Sequence, residues 1–274
     1  MADIVGIFAV SHTPVMTNLP DAPAPAERDE IFAHFRQIGR TIADQRPDAI
    51  IVISDDHLHN FFLDNMPAFC IGAGESHDSP MEAWLRVERR QLRGHRDLAA
   101  HLIDRSFASG FDPSFSLSLT LDHGMITPLE LAGIATLAPI VPVIVNTVQP
   151  PMPRMPRCIA FGRALGAALR DYQECQRIVV LATGGLSHDV GTPRMGMVNE
   201  AFDRGFLDRL EAGDESALVA FAEAEVGRAG NGAEEVRNWL VAHGIADGAR
   251  FQPIHYRAVP SWYTGIALGR WVQA

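Results

Sequence analysis

Cysteine is scarce in this chain: the 274 residues contain three, Cys70, Cys158 and Cys175, with neither paired spacing nor a C-x-x-C motif. Each sits among apolar residues, so reduced, structural thiols are expected rather than a disulfide framework. Basic residues are also in deficit. Lys and Arg together number 23 against 33 Asp and Glu, a net charge of −10, with both signs mixed along the chain. Nucleic acids and anionic membranes select basic patches, so neither is expected as a partner. No apolar run approaches the 18 residues of a membrane span, and the opening MADIVGIFAVSH lacks a basic region and a cleavage pattern. The expectation is a cytoplasmic protein without a membrane anchor. Internal repeats, low-complexity tracts and linkers are lacking too, which favours a single domain over residues 1–274.

What is present is an alternation of apolar strands and amphipathic helices. Residues 4–10, 50–53, 66–72, 138–146 and 177–183 read as strands, and the run 50–53 is β-branched, as suits burial on both faces. Residues 26–45 read as a helix with Ile31, Phe35, Ile38 and Ile42 on one face. Helices are also expected over 98–109, over 127–137 (opened by Thr127-Pro128) and over 160–172. Residues 76–80 and 149–156 read as loops. The last third is largely helical over 199–243, followed by a strand at 251–256 and a closing helix at 264–271. The fold class is α/β: one domain, a mostly parallel central sheet flanked by helices, and a helical C-terminal third.

The stretch IIVISDDHLHNFF, residues 50–62, carries the first functional signal. Burying an aspartate costs several kcal/mol unless it is paired, hydrogen-bonded or near a metal. Asp55 and Asp56 therefore belong where the strand has just left the core, which in open α/β sheets is where ligands bind. Three further histidines occupy comparable places: His12 in FAVSHTP, His123 in LTLDHGMITP and His188 in VVLATGGLSHD. Parallel strands deliver their carboxyl ends to one edge of the sheet, so convergence is plausible, although a polar strand end is the plainer reading of each one alone. Two histidines and one carboxylate with open positions suit a non-haem Fe(II) that activates O2. The same donors also hold Zn(II) for hydrolysis. Glu234 and Glu235, in GNGAEEVRNWL, are the late carboxylate candidates. Tandem helix glutamates usually face solvent, but the preceding glycines let backbone approach a site closely.

In several blocks the chain resembles the class III extradiol ring-cleaving dioxygenases, the family of the protocatechuate 4,5-dioxygenase β-subunit and dihydroxyphenylpropionate 1,2-dioxygenase. The blocks are SHTP at 11–14, DDHLHNFFLDNMPAFCIG at 55–72, GHRDLA at 94–99, LDHGMITPL at 121–129, TGGLSHD at 183–189, GNGAEEVRNW at 230–239 and PSWYTGIALG at 260–269. The resemblance implies an Fe(II) cofactor held by His12, His57 and Glu235, with Glu234 the neighbour one position away. It implies His188 as catalytic base and His123 as a second active-site histidine. It further implies a catechol-type or aminophenol-type aromatic substrate, O2 as co-substrate, and ring opening beside the two chelating groups.

Several roles stay open at this level. Asp56 either orients a ligating imidazole or caps the turn. His59 either lines the entrance or faces water, the latter being the simpler reading. His34, His77, His95, His101, His243 and His255 are read as structural or surface residues. Trp262 and Tyr263 stand where protocatechuate enzymes carry small polar residues for the substrate carboxylate, which puts that contact in doubt. They either pack against the substrate ring or belong to the core. Relatives imply a homo-oligomer, and some have a separate small helical subunit. The rival readings are a Zn(II)-dependent hydrolytic or non-oxidative enzyme on the same scaffold, and a metal-poor binding protein.

Overall fold

A computed structural model describes residues 2–273 of the protein. Four apolar segments pair in parallel at its centre: β1 (Asp3–Val10), β2 (Ala49–Ser54), β7 (Ile140–Val145) and β8 (Arg177–Thr183). Between β2 and β7 lie β3 (Phe69–Gly72), β4 (Ser76–Ser79), β5 (Arg90–Arg93) and β6 (Ser114–Ser116). The chain ends in β9 (Arg250–Val259) and β10 (Thr264–Val272). Eight of these strands form one sheet in the order β6-β3-β7-β2-β8-β1-β10-β9, while β4 and β5 make a separate two-stranded ribbon. The central four strands are parallel, and antiparallel neighbours flank them at β3 and β10.

Each central strand feeds two cores, because successive side chains point to opposite faces. Ile51 and Ile53 enter one apolar cluster and Ile50 and Val52 the other; Val180 and Leu181 divide in the same way. Helices α1 (Val15–Asn18), α2 (Pro25–Asp44) and α4 (His123–Ala132) lie with the second cluster. On the first lie α3 (Arg96–Ala108), α5 (Met155–Asp171), α6 (Glu200–Ala212), α7 (Glu215–Ala229) and α8 (Val236–Ala246). The predicted face of α2 is the buried one: Ile31, Phe35, Ile38 and Ile42 are all inside. No helix among the described residues is long and apolar enough to cross a membrane.

Three expectations are corrected. Residues 264–272 form a strand, not a closing helix, so the C-terminal third is helical only as far as α8. Wedged between β1 and β9, β10 sends Ile266 and Leu268 into one core and Ala267 and Trp271 into the other. Burial on both faces removes the alternation that marks a strand. Helix α4 begins at His123 rather than Thr127, because the Asp122 carboxylate accepts from the Gly124 amide and supplies the N-cap. Residues 76–79, read as a loop, pair with β5. The three cysteines are free and buried, as expected, and burial raises the pKa of each thiol.

Candidate metal centre

The carboxyl ends of β1, β2 and β8 meet at one edge of the sheet, and the residues just beyond them converge. His12 follows β1, the Asp55–His57 segment follows β2 and His188 follows β8. Glu235 arrives from the opposite side, on a single 3-10 turn (Gly232–Glu235) that leads into α8. His12 Nε2 lies 3.5 Å from Glu235 Oε2; His57 Nε2 and His188 Nε2 lie 3.6 and 3.4 Å from Glu235 Oε1. His12, Asp55, His57 and Glu235 each offer one donor atom within 4.8 Å of the others.

Hydrogen bonding sets which ring nitrogen faces the cluster. Thr183 donates its hydroxyl proton to Ser54 (2.8 Å), so its oxygen is left to accept from His12 Nδ1 (3.3 Å). His57 Nδ1 donates to Asp122 Oδ2 at 2.9 Å, His123 Nδ1 to Glu82 Oε1 at 2.5 Å and His188 Nδ1 to the Leu186 carbonyl at 3.0 Å. All four imidazoles are thus tied through Nδ1, which leaves Nε2 free. His12 Nε2 and Asp55 Oδ2 are buried with no hydrogen-bond partner among the described residues.

The electrostatics follow from burying four carboxylates, Asp55, Glu82, Asp122 and Glu235, beside these rings. Burial pushes the His12 pKa down to about 3, more than nearby Glu235 can offset, so its imidazole is neutral. Burial also opposes charge on His57, but Asp55 and Asp122 outweigh it and raise its pKa well above the ordinary value. Burial lifts Asp55 to about 7, with His57 pulling the other way. Despite burial, the carboxyl of Glu235 is held well below its usual range by the surrounding imidazoles, with His188 and His57 hydrogen-bonded to it. The cluster therefore calls for positive charge, which a cation bound among the free nitrogens would supply.

Two sequence blocks have local reasons for their glycines. Gly184, in TGGLSHD, adopts φ +109°, and a Cβ there would stand 3.0 Å from the Glu235 carboxylate. The next amide, of Gly185, donates to Glu235 Oε2 at 2.6 Å. Gly232, in GNGAEE, gives up the space that the His188 ring fills. Glu234 is drawn away from the cluster by its ion pair with Arg237.

Other expected residues divide. Asp56 caps the turn: its carboxylate accepts from the amides of His59, Asn60 and Phe61. The orienting contact to His57 comes from Asp122 instead. His59 faces inward, with Nε2 3.3 Å from Glu82 Oε1. It lines a cavity of about 320 Å³ together with His12, His57, His123, His188, Trp84 and Met195. Trp262 and Tyr263 belong to the same wall. Trp262 stacks on Phe32 at 5.5 Å between centroids and donates to the Leu19 carbonyl, whereas Tyr263 is partly exposed. Sequence reading assigned no role to Asp55, Asp122, Glu82 or Thr183. Asp122 stands beside His123 in the LDHG block, while Glu82 lies in a stretch with no distinguishing pattern.

The chain is 28% identical to 2,3-dihydroxyphenylpropionate/2,3-dihydroxicinnamic acid 1,2-dioxygenase of Rhodococcus jostii, over 96% of this chain and 97% of that enzyme. It is 31% identical to the enzyme of the same name from Paraburkholderia xenovorans, over 92% and 93%. An uncharacterised Escherichia coli K12 protein of known crystal structure shares the fold, with a TM-score of 0.66 at 17% identity, covering 97% of this chain and 99% of that one. Residues 6–267 match the family described as the catalytic LigB subunit of aromatic ring-opening dioxygenase. The chain belongs to that family and is an extradiol ring-cleaving dioxygenase, metal-dependent and acting on an aromatic substrate with O2.

Proposed function

We propose that His12, His57 and Glu235 hold Fe(II), and that the enzyme opens a catechol-type or aminophenol-type ring beside its two chelating groups. The observation that carries this reading is the convergence of donors within 4.8 Å, all but the partly buried His57 being buried, with His12 Nε2 lacking a hydrogen-bond partner among the described residues. Two imidazoles and a carboxylate suit Fe(II) with open positions. When bound, the metal supplies the electron transfer between ring and O2 that no side chain provides. The family weighs against a hydrolase or a binding scaffold on these donors.

The chain's own residues handle protons and orientation. His188 takes a proton from a substrate hydroxyl at Nε2, since Nδ1 is committed to the Leu186 carbonyl. The resulting imidazolium is stabilised by Glu235 at 3.4 Å. His123, fixed by Glu82, is the second proton-handling group. Asp122 keeps the His57 ring oriented from behind. Trp84, Trp262 and Tyr263 line the cavity that would receive the ring.

The cavity wall also bears on the substrate. Val15, Val190, Met195 and Trp262 make it largely apolar, and no arginine lines it among the described residues. Arg194 is paired with Asp189, whose carboxylate belongs to the wall. The Rhodococcus and Paraburkholderia relatives are named for substrates that carry a carboxylate; here no arginine or lysine among the described residues lines the cavity to pair with such a group. A ring with an uncharged substituent is therefore the substrate class proposed. Oxygen uptake and ring-opened product absorbance, measured with Fe(II) over a panel of catechols and aminophenols, test both parts. Neutral substituents should give kcat/KM at least about 10-fold above their carboxylated counterparts, since an unpaired buried charge costs more than the ~1.4 kcal/mol this represents. Preference for the acids overturns the substrate class alone; absence of uptake with every compound overturns the function.

A further inference from the structure

Two of the histidines read as structural stand together on the far side of α2. Glu30 and His34 are four residues apart on that helix, so their side chains leave the same face. His255, on edge strand β9, meets them. The imidazoles of His34 and His255 stack with centroids 4.6 Å apart and planes inclined by 28°. His255 Nδ1 lies 3.9 Å from Glu30 Oε1, and one donor atom from each of the three residues lies within 4.8 Å of the others.

One nitrogen of each ring is left unsatisfied among the described residues. His34 Nδ1 and His255 Nε2 are both buried and have no hydrogen-bond partner among the described residues, and the His255 side chain is only 9% exposed. The other oxygen of Glu30 is engaged by Arg257 Nη2 at 3.1 Å, and Arg257 also reaches Glu27 at 3.5 Å. That pairing holds Glu30 Oε2 while Oε1 faces His255. Glu30 is itself partly exposed, which gives an ion an entry path and room for a water ligand.

We propose that Glu30, His34 and His255 form a second metal site, separate from the catalytic cluster, that takes Zn(II) or a similar divalent transition-metal ion. Two imidazoles and one carboxylate, completed by water, are a donor set suited to Zn(II). The site joins α2 to β9 at the edge of the sheet, and the same helix carries Phe32, which supports Trp262 of the cavity wall. The ion's role is therefore structural: it fixes the helix behind the wall and touches no substrate.

The test is equilibrium dialysis of chelator-treated full-length protein against Zn(II), with metal counted by mass spectrometry. Wild type should hold two equivalents and the H34Q/H255Q variant one, with circular dichroism checking that the variant is folded. Glu30→Gln, a milder change at a partly exposed position, should weaken the second equivalent by about 10-fold or more. In a Glu235→Ala background, Zn(II) should still raise Tm, and adding H34Q/H255Q should abolish that shift. Wild-type stoichiometry in a folded H34Q/H255Q protein overturns the site. Because this difference is read in the wild-type background as well, it stands or falls independently of the catalytic ligand assignment.

Discussion

A Cβ placed on Gly232 would lie 1.9 Å from His188 Nε2. The GNGAEE turn thus does two things at once: it presents Glu235 and it leaves the volume in which the proposed base stands. Gly232→Ala is expected to displace the His188 ring while leaving the metal ligands in place. Displacement of a catalytic group by about 1 Å can cost on the order of 100-fold, so kcat should fall by roughly that factor with Fe(II) content unchanged. His188→Phe should likewise keep iron and lose most turnover. Wild-type turnover in either iron-loaded variant removes His188 from the mechanism.

His57 owes its orientation to Asp122, which accepts from both the ring Nδ1 and the backbone amide at 2.9 Å. Asp122→Asn tests this cleanly, because asparagine is also a good N-cap and α4 should still start at His123. Loss of such an orienting carboxylate typically lowers metal affinity 10–100-fold. Anaerobic dialysis against Fe(II) should show a fall of about that size. Unchanged affinity means that the ring is held by other contacts.

Asp203 supplies a pH signature. Its carboxylate accepts from the Ser187 amide and hydroxyl and from the Tyr256 hydroxyl, yet burial raises its pKa from 3.8 to about 6. Below pH 4 both folded and unfolded chains hold this proton. As pH rises from about 4 to 6, the unfolded chain releases it first, so stability falls across that window and the penalty remains above it. A shift of about 2 pKa units corresponds to roughly 3 kcal/mol. Urea unfolding of wild type and Asp203→Asn at pH 4 and pH 7 should show the wild type losing up to about that much relative to the variant. A stability difference independent of pH contradicts the raised pKa.

How much of this was legible in the sequence depended on what each residue signals locally. The bounds of β8 were readable because an unbroken apolar run rich in β-branched residues, Ile178 to Ala182, has one common explanation, a strand covered on both faces. The same double burial concealed β10, whose glycines and mixed apolar residues fit helical spacing equally well. The four histidines could be found because each follows a strand or opens a helix inside a recognisable block. Their partners could not. Glu82 reaches His123 from 41 positions away, a relation that only the folded chain creates. Asp56 and Asp122 were separable only by geometry: one faces three consecutive amides, the other an imidazole. His34 and His255 gave no sign of their meeting, since a helix residue and an edge-strand residue 221 positions apart (255 − 34) share no local pattern.

Glu235 lies within 3.6 Å of three imidazoles, whereas Glu234 is paired with Arg237. Fe(II) content of anaerobically purified wild type, Glu235→Ala and Glu234→Ala tests that distinction most directly. Wild type and Glu234→Ala should retain the catalytic ion and Glu235→Ala should release it. Iron retained in Glu235→Ala and lost from Glu234→Ala would contradict the proposed centre.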